Sequence, residues 1–401
     1  MQRHAAAMTS TPRLYFLDWL RILAFGLLVP YHVGMYYVSW DWHVKSPQAG
    51  HALEPLMFLS SPWRLSLLFF IGGVACHALL RRDGGRGFVR RRSALLLWPL
   101  LFGMFVVVPP QAYFEVVEKV AYGGSFIDFM RLYVQGYGGF CRGADCLTLP
   151  TWNHLWFLPY LWLYSLIGWA LWRWAPMVLD RLAGWLAARP PMQWLLLPTL
   201  PFAAARCLIA WFPSTHNFAW DWCNHAQFLA MFLAGLLLGR TPGAWDRLRD
   251  LRRPALGLAL VATVALIVYF QINSDAPPAP ALRWFARSLW GALQWWAIVA
   301  ACGFARQHLD FDHPLRRALV PAVFCVYILH QTVIVLLTQG LKPWHLWAPA
   351  EGLLLVVLTF ALCALAYAVV RHLPLLRGAL GITGGAAPGV TPSLVRPQIH
   401  P

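Results

Sequence analysis

The chain reads as an all-α, polytopic membrane protein with about ten transmembrane helices and both termini in the cytoplasm. Three observations predict this. Apolar stretches of about 20 residues, the length that crosses a bilayer's hydrocarbon as a helix, recur from end to end. Of 401 residues, 59% are hydrophobic and 12% charged, with mean hydropathy +0.54; a soluble protein carries about twice that charged fraction. The 32 Lys and Arg are also unevenly shared: 22 fall in segments on one side of the spans and six on the other. The positive-inside rule assigns the richer side, with both termini, to the cytoplasm. The apolar runs are continuous, which argues against an outer-membrane β-barrel.

The spans are expected at 14–39, 56–80, 93–110, 153–173, 193–212, 221–239, 255–271, 284–304, 319–339 and 349–371. The first follows a short polar N-terminus and is too long for a signal-peptide core, so it reads as an uncleaved helix. Pro30 removes the N–H that would bond the Gly26 carbonyl, predicting a kink. The second carries Gly72-Gly73, which permits close helix approach, and ends at Arg81 and Arg82. Arg90, Arg91 and Arg92 precede the third. The longest loop, roughly 111–152, lies on the outer side with Glu115, Glu118, Asp128 and Asp145, and is expected to cover a site or bind an acceptor. Its Cys141 and Cys146 read equally as a disulfide, if the compartment is oxidising, or as two free thiols. The other six cysteines read as small hydrophobes.

His154 opens the fourth span, and Arg206 lies inside the fifth, where it must face protein or water. Asp221 and His225, one helical turn apart, open the sixth. Arg247, Arg249, Arg252 and Arg253 separate it from the seventh. The eighth follows, and His330 sits in the outer half of the ninth. After the tenth, the boundary of one membrane domain is set at 1–377, and the Gly- and Pro-rich residues 378–401 read as a disordered cytoplasmic tail. No internal repeat is visible, so an inverted-repeat transporter has no support.

The net charge of +16 does not make this a nucleic-acid binder. The basic residues sit in short clusters between spans, and the partner they imply is the bilayer.

Arg21 and His32 carry the chemistry. Eleven residues at 100° each bring two side chains back to within about 20° of one face, about 16 Å apart along the axis. Charged and titratable groups inside a span are costly, so a functional site is the default reading. Arg21 would lie about 10 Å in from the cytoplasm and His32 about 27 Å in. Both are expected to point into one cavity reaching both faces. Asp18, three residues before Arg21, is its expected ion-pair partner. His154, Asp221, His225 and His330 gather at the outer half, suited to acid–base work or to orienting His32 or an acceptor. Arg91 and Arg92 suit the phosphates of a cytoplasmic donor. The histidines lack a zinc spacing, so no metal is expected.

These residues resemble a known family. Leu17-Asp18-Trp19-Leu20-Arg21, then ten residues, then His32 resembles the Arg-x10-His signature of the acyltransferase-3 family of membrane acyltransferases. Phe69-Phe70-Ile71-Gly72-Gly73 is similar to its Phe-Phe-x-Ser-Gly segment, with Gly72 in place of Ser. Phe88 to Arg92 followed by Pro99, and Tyr327-Ile328-Leu329-His330, resemble two further motifs. His154 to Leu158 and Asp221 to Phe228 resemble the branch that acylates periplasmic glucans. The resemblance covers residues 14 to 371. It implies ten core helices and an O-acyltransferase of the inner membrane with Arg21 and His32 needed for activity. It also implies acyl-CoA as a cytoplasmic donor substrate, no permanently bound cofactor, and a carbohydrate hydroxyl outside as acceptor of an acetyl or succinyl group. The competing reading is a permease exporting a glycan or small anion, since ten helices alone do not fix function.

Overall fold

Pro30 sets the first departure from a straight helix. In a computed structural model, which describes residues 14–274 and 276–382, the first span consists of α1 (Tyr15–Gly26) and α2 (Leu28–Tyr37), broken at Leu27. The break adjoins the Gly26 carbonyl that Pro30 leaves without its helical donor. Next come a short helix, α3 (Glu54–Phe58), and then α4 (Arg64–Asp83). The second span thus starts eight residues later than expected, because Pro62 disfavours helix at Ser61.

α5 (Phe88–Phe102) runs into a five-residue π-helix, Gly103–Val107, and the chain then bends by 45° into α6 (Pro109–Val120). Pro109 and Pro110 suit a first helical turn. α7 (Phe126–Val134) is capped by Ser125, whose Oγ accepts the Asp128 N–H at 3.2 Å. A hairpin of β1 (Cys141–Arg142) and β2 (Asp145–Cys146) follows, closed by a Cys141–Cys146 disulfide. The segment expected as a loop is therefore a folded cap with its own core of Val116, Phe129, Tyr133 and Phe140.

The fourth span is a 3-10 turn at Asn153–Trp156 leading into α8 (Phe157–Trp174). α9 (Pro176–Ala187) lies beyond it, and the fifth span is split at Pro198 into α10 (Pro191–Leu196) and α11 (Thr199–Cys207). α12 (Trp222–Arg240), α13 (Ala244–Ile272), α14 (Pro280–His308), α15 (Pro314–Leu341) and α16 (Ala348–Val370) supply the rest. Among the described residues, nine helices are long and apolar enough to cross a membrane, and ten with the bent pair. The protein is a polytopic α-helical membrane protein. α13 begins eleven residues before 255 because the run from Asp246 to Arg253, though charged, consists of good helix formers.

A last helix, α17 (Pro374–Ala379), packs on α5, and Leu380 and Ile382 are buried. Packing thus runs past the boundary set at 377; the rest of the expected tail, and residues 1–13, lie outside the described residues.

Backbone proximity holds the centre together. A Cβ on Gly73 would collide with the carbonyl of Phe232, and one on Gly235 with the carbonyl of Phe70, so α4 and α12 meet with no side chain between them. The two ends of the bundle differ. One, the basic end, carries the turn at 84–87 and an ion network in which Arg316 joins Asp18 of α1 to Asp312. The other, the cap end, carries α6, α7 and the link from α2 to α3. There Lys45 ties down the end of α2, its Nζ donating to the carbonyls of Met35 and Trp40, each at 2.7 Å, and of Val38. Burial lowers the Lys45 pKa against the pull of Asp41.

Candidate functional site

Carbonyls can only accept, and that fixes a chain of protons through two histidines. His330 on α15 sets Nδ1 2.7 Å from the carbonyl of Tyr327, so Nδ1 carries the proton. The neutral ring then has a bare Nε2, which lies 3.0 Å from Nδ1 of His32 on α2. His32 must donate, which leaves its own Nε2 with a lone pair. That atom has no partner among the described residues, and His32 lines a cavity of about 800 Å³. His154 completes the cluster, its ring 5.2 Å from that of His330. Its Nε2–H donates to the carbonyl of Ile328 at 3.0 Å, while Nδ1 faces the Gln111 amide at 3.4 Å. Both its nitrogens are engaged, so His154 braces the wall.

The cavity opens at the cap end. Its deep wall includes Phe157 and Tyr327, and Phe25 packs behind both, with ring centroids at 6.3 and 5.3 Å. Arg21, one turn before Phe25, is not part of the cavity wall. The expected shared cavity is thus divided by an aromatic floor, with His32 above it and Arg21 below. The break at Leu27 also makes the two residues members of different helices.

Below the floor, Arg92 is buried, donating from Nε to Ser165 Oγ at 3.0 Å, and it lies within electrostatic range of Arg21. Arg91, 100° further back on the helix, is exposed and donates to the carbonyl of Arg86 at 3.0 Å. Only Arg92 of that pair turns into the bundle. Asp18 pairs with Arg316 of α15 and so ties α1 at the basic end, and it also lies within electrostatic range of Arg21, its expected partner.

Asp221 and His225 sit behind the cavity. Asp221 is fully buried and accepts from Tyr160 Oη at 2.7 Å and from the amides of Thr215 and His216, each at 3.1 Å. His225 Nε2 donates to the carbonyl of Phe218 at 2.7 Å and its Nδ1 accepts from Tyr164 Oη at 2.9 Å. Both residues clamp the 214–220 segment, which presents Thr215, His216 and Asn217 to the cavity. Burial holds the His216 pKa below its usual value, against the pull of Asp221. Its ring stacks on Trp156 at 4.4 Å.

Two wall residues lay outside the sequence-based site. Arg64 is 3% exposed, with Cζ 3.3 Å from the centroid of the Tyr31 ring, and it has no acidic partner among the described residues. Nη1 reaches Ser60 Oγ at 3.4 Å, and Nε has no partner among the described residues. It lies within electrostatic range of His32 and His330. Its position inside an apolar span was the available signal. His43, in the link after α2, offered none, since its partner Glu115 is 72 residues away.

The architecture and the cavity define a membrane-embedded bundle with oriented imidazoles at one end. The chain belongs to the acyltransferase-3 family: a family profile described as an acyltransferase domain matches residues 14–368. It is similar to the glucans biosynthesis protein C of Salmonella gallinarum, with 21% identity over 375 residues covering 91% of this chain and 94% of the relative. The proteins of that name from Salmonella typhi and Salmonella typhimurium match with the same identity and coverage. No solved structure matches the chain.

Proposed function

We propose that this membrane acyltransferase moves an acyl group from acyl-CoA in the cytoplasm to a hydroxyl of a carbohydrate outside it, as an O-acyltransferase of the inner (plasma) membrane. One observation carries the reading: His32 Nε2 is a bare lone pair in a cavity, with Nδ1 tied through His330 to a backbone carbonyl. An imidazole held in one tautomer is what proton removal from a hydroxyl, or transient acyl carriage, needs. The excess of Lys and Arg supports a cytoplasmic basic end. On that side Arg21 and Arg92 together offer positive charge for the phosphates of a CoA donor. Arg64 supplies a fixed, poorly solvated charge where a carbonyl oxygen turns negative during transfer. Asp221 and His225 shape the acceptor wall through the segment they clamp. The relatives' name supports a glucan-like acceptor, and a cavity of about 800 Å³ suits one or two sugar units.

The test is His32→Ala in proteoliposomes supplied with radiolabelled acyl-CoA on the basic side and an oligosaccharide on the cap side. Transfer should vanish while the variant still inserts and melts like wild type. Wild-type transfer by the variant would remove His32 from the reaction.

A further inference from the structure

The mouth of the same cavity holds a second oriented imidazole. His43 places Nδ1 in hydrogen-bond contact with Glu115 Oε2 of α6. The other carboxylate oxygen accepts from Lys119 Nζ at 2.9 Å, and Lys119 also reaches Asp41 Oδ2 at 3.0 Å. All four side chains line the cavity that contains His32. A carboxylate accepts, so His43 carries a proton on Nδ1, and in the neutral ring the lone pair is on Nε2. No partner for that Nε2 is found among the described residues. Trp42 packs near both imidazoles, its ring 6.5 Å from that of His32 and 5.6 Å from that of His43, and the two histidines lie within electrostatic range of each other.

The two histidines differ in what stands behind them. His32 leans on a neutral imidazole, His43 on a carboxylate. A carboxylate behind Nδ1 stabilises the imidazolium that forms when Nε2 takes a proton, so His43 is the better-supported base. It also lies nearer the side from which a hydroxyl acceptor would enter. Resting on the acyl-CoA-to-hydroxyl reading above, we propose that His43, positioned by Glu115, is the general base for the acceptor hydroxyl, and that His32 carries the acyl group.

The steps balance. His32 Nε2 attacks the thioester carbonyl; a C–N bond forms, the C–S bond breaks, and CoA leaves as a thiolate. The His32 Nδ1 proton passes to His330 Nε2, leaving a neutral acyl-imidazole. The acceptor hydroxyl then gives its proton to His43 Nε2 while its oxygen attacks the acyl carbon. The C–N bond breaks and His32 recovers its Nδ1 proton from His330. The His43 proton is released to water at the cavity mouth, and the thiolate takes one from water at the basic end.

The experiment separates the half-reactions in full-length protein. Thiol release is followed with acetyl-CoA and succinyl-CoA, without acceptor, with hydroxylamine, and with a glucose oligosaccharide. His43→Gln should still show a thiol burst of about one equivalent and acyl capture by hydroxylamine, which needs little help from a base. Its transfer to sugar should fall about 10²- to 10³-fold. Glu115→Gln should lose about tenfold in sugar transfer, and added imidazole should restore part of the sugar transfer in His43→Ala. His32→Ala should show no burst. Sugar transfer near wild type in His43→Gln, loss of its burst together with sugar transfer, or a retained burst in His32→Ala would each overturn the assignment. A wild-type protein that releases thiol from neither donor would instead bring down the donor reading on which the assignment rests.

Discussion

His330 decides which nitrogen of His32 is left without a partner among the described residues. Its Nδ1 is spent on the carbonyl of Tyr327, three residues earlier on α15, so the orientation is built into that helix. Replacing His330 with Ala should leave His32 in either tautomer and lower acyl transfer about 10²-fold, with little change in donor KM. Initial rates of label transfer in proteoliposomes check this, and an unchanged kcat would mean that His32 needs no support. Arg64 allows a second comparison. If its charge steadies a developing oxyanion, Arg64→Met should cost about 10²- to 10³-fold in kcat, with Arg64→Lys retaining more activity; equal loss in both would point to packing on Tyr31 instead. At this level the sequence told some of the story. His32, His154 and His330 were legible because titratable groups stand out in apolar spans. His43 was not, because it lies in a polar link where histidine is unremarkable. Its meaning comes from Glu115, brought to it by the fold.

The helices hold these groups by close backbone contact and by ion pairs at their ends. Gly73 and Gly235 face backbone atoms across the α4–α12 contact, with no flexible side chain to move aside. Gly235→Ala should therefore force the helices apart and cost about 3 kcal/mol, read as a lower melting temperature in detergent. At the basic end, hydrogen bonds from Arg317 and Arg316 hold the Asp312 carboxyl below its usual pKa. A depressed carboxyl pKa gives stability that is complete above the usual value near 4 and drains away as pH falls below it. Melting from pH 7 down to 3 should thus drop more steeply for wild type than for Asp312→Asn; parallel curves would show that the network contributes nothing. The long spans were legible from length and hydropathy alone. α6 and α7 were not, because 12 and 9 residues of amphipathic helix look like loop beside apolar runs of twenty.

For the whole protein, the arrangement of charge and cavity gives a direction to the proposed reaction. The cavity with its two open imidazole nitrogens lies at the cap end, the guanidinium groups of Arg21 and Arg92 lie towards the other, and Phe25, Phe157 and Tyr327 form the partition between them. An acyl group travelling from donor to acceptor has to cross that partition, so the side each end occupies decides whether the proposed chemistry makes sense. The sequence makes its prediction from the share of Lys and Arg, 22 against six, and the folded chain adds that the same division separates Arg21 and Arg92 from the cavity. Single cysteines test it directly. Arg86→Cys, in the turn at the basic end, and Gln135→Cys, after α7 at the cap end, are both at exposed positions. Of the native cysteines, Cys141 and Cys146 are bridged, Cys76, Cys223, Cys302, Cys325 and Cys363 are buried, and the half-buried Cys207 is replaced by Ser (Cys207→Ser) in every labelled protein, so the parent without an added cysteine sets a low background. In intact cells stripped of their outer barrier, a membrane-impermeant maleimide should label the cysteine at 135 at once and the one at 86 only after the membrane is opened. The opposite pattern would place the cavity in the cytoplasm and rule out transfer to a carbohydrate outside it.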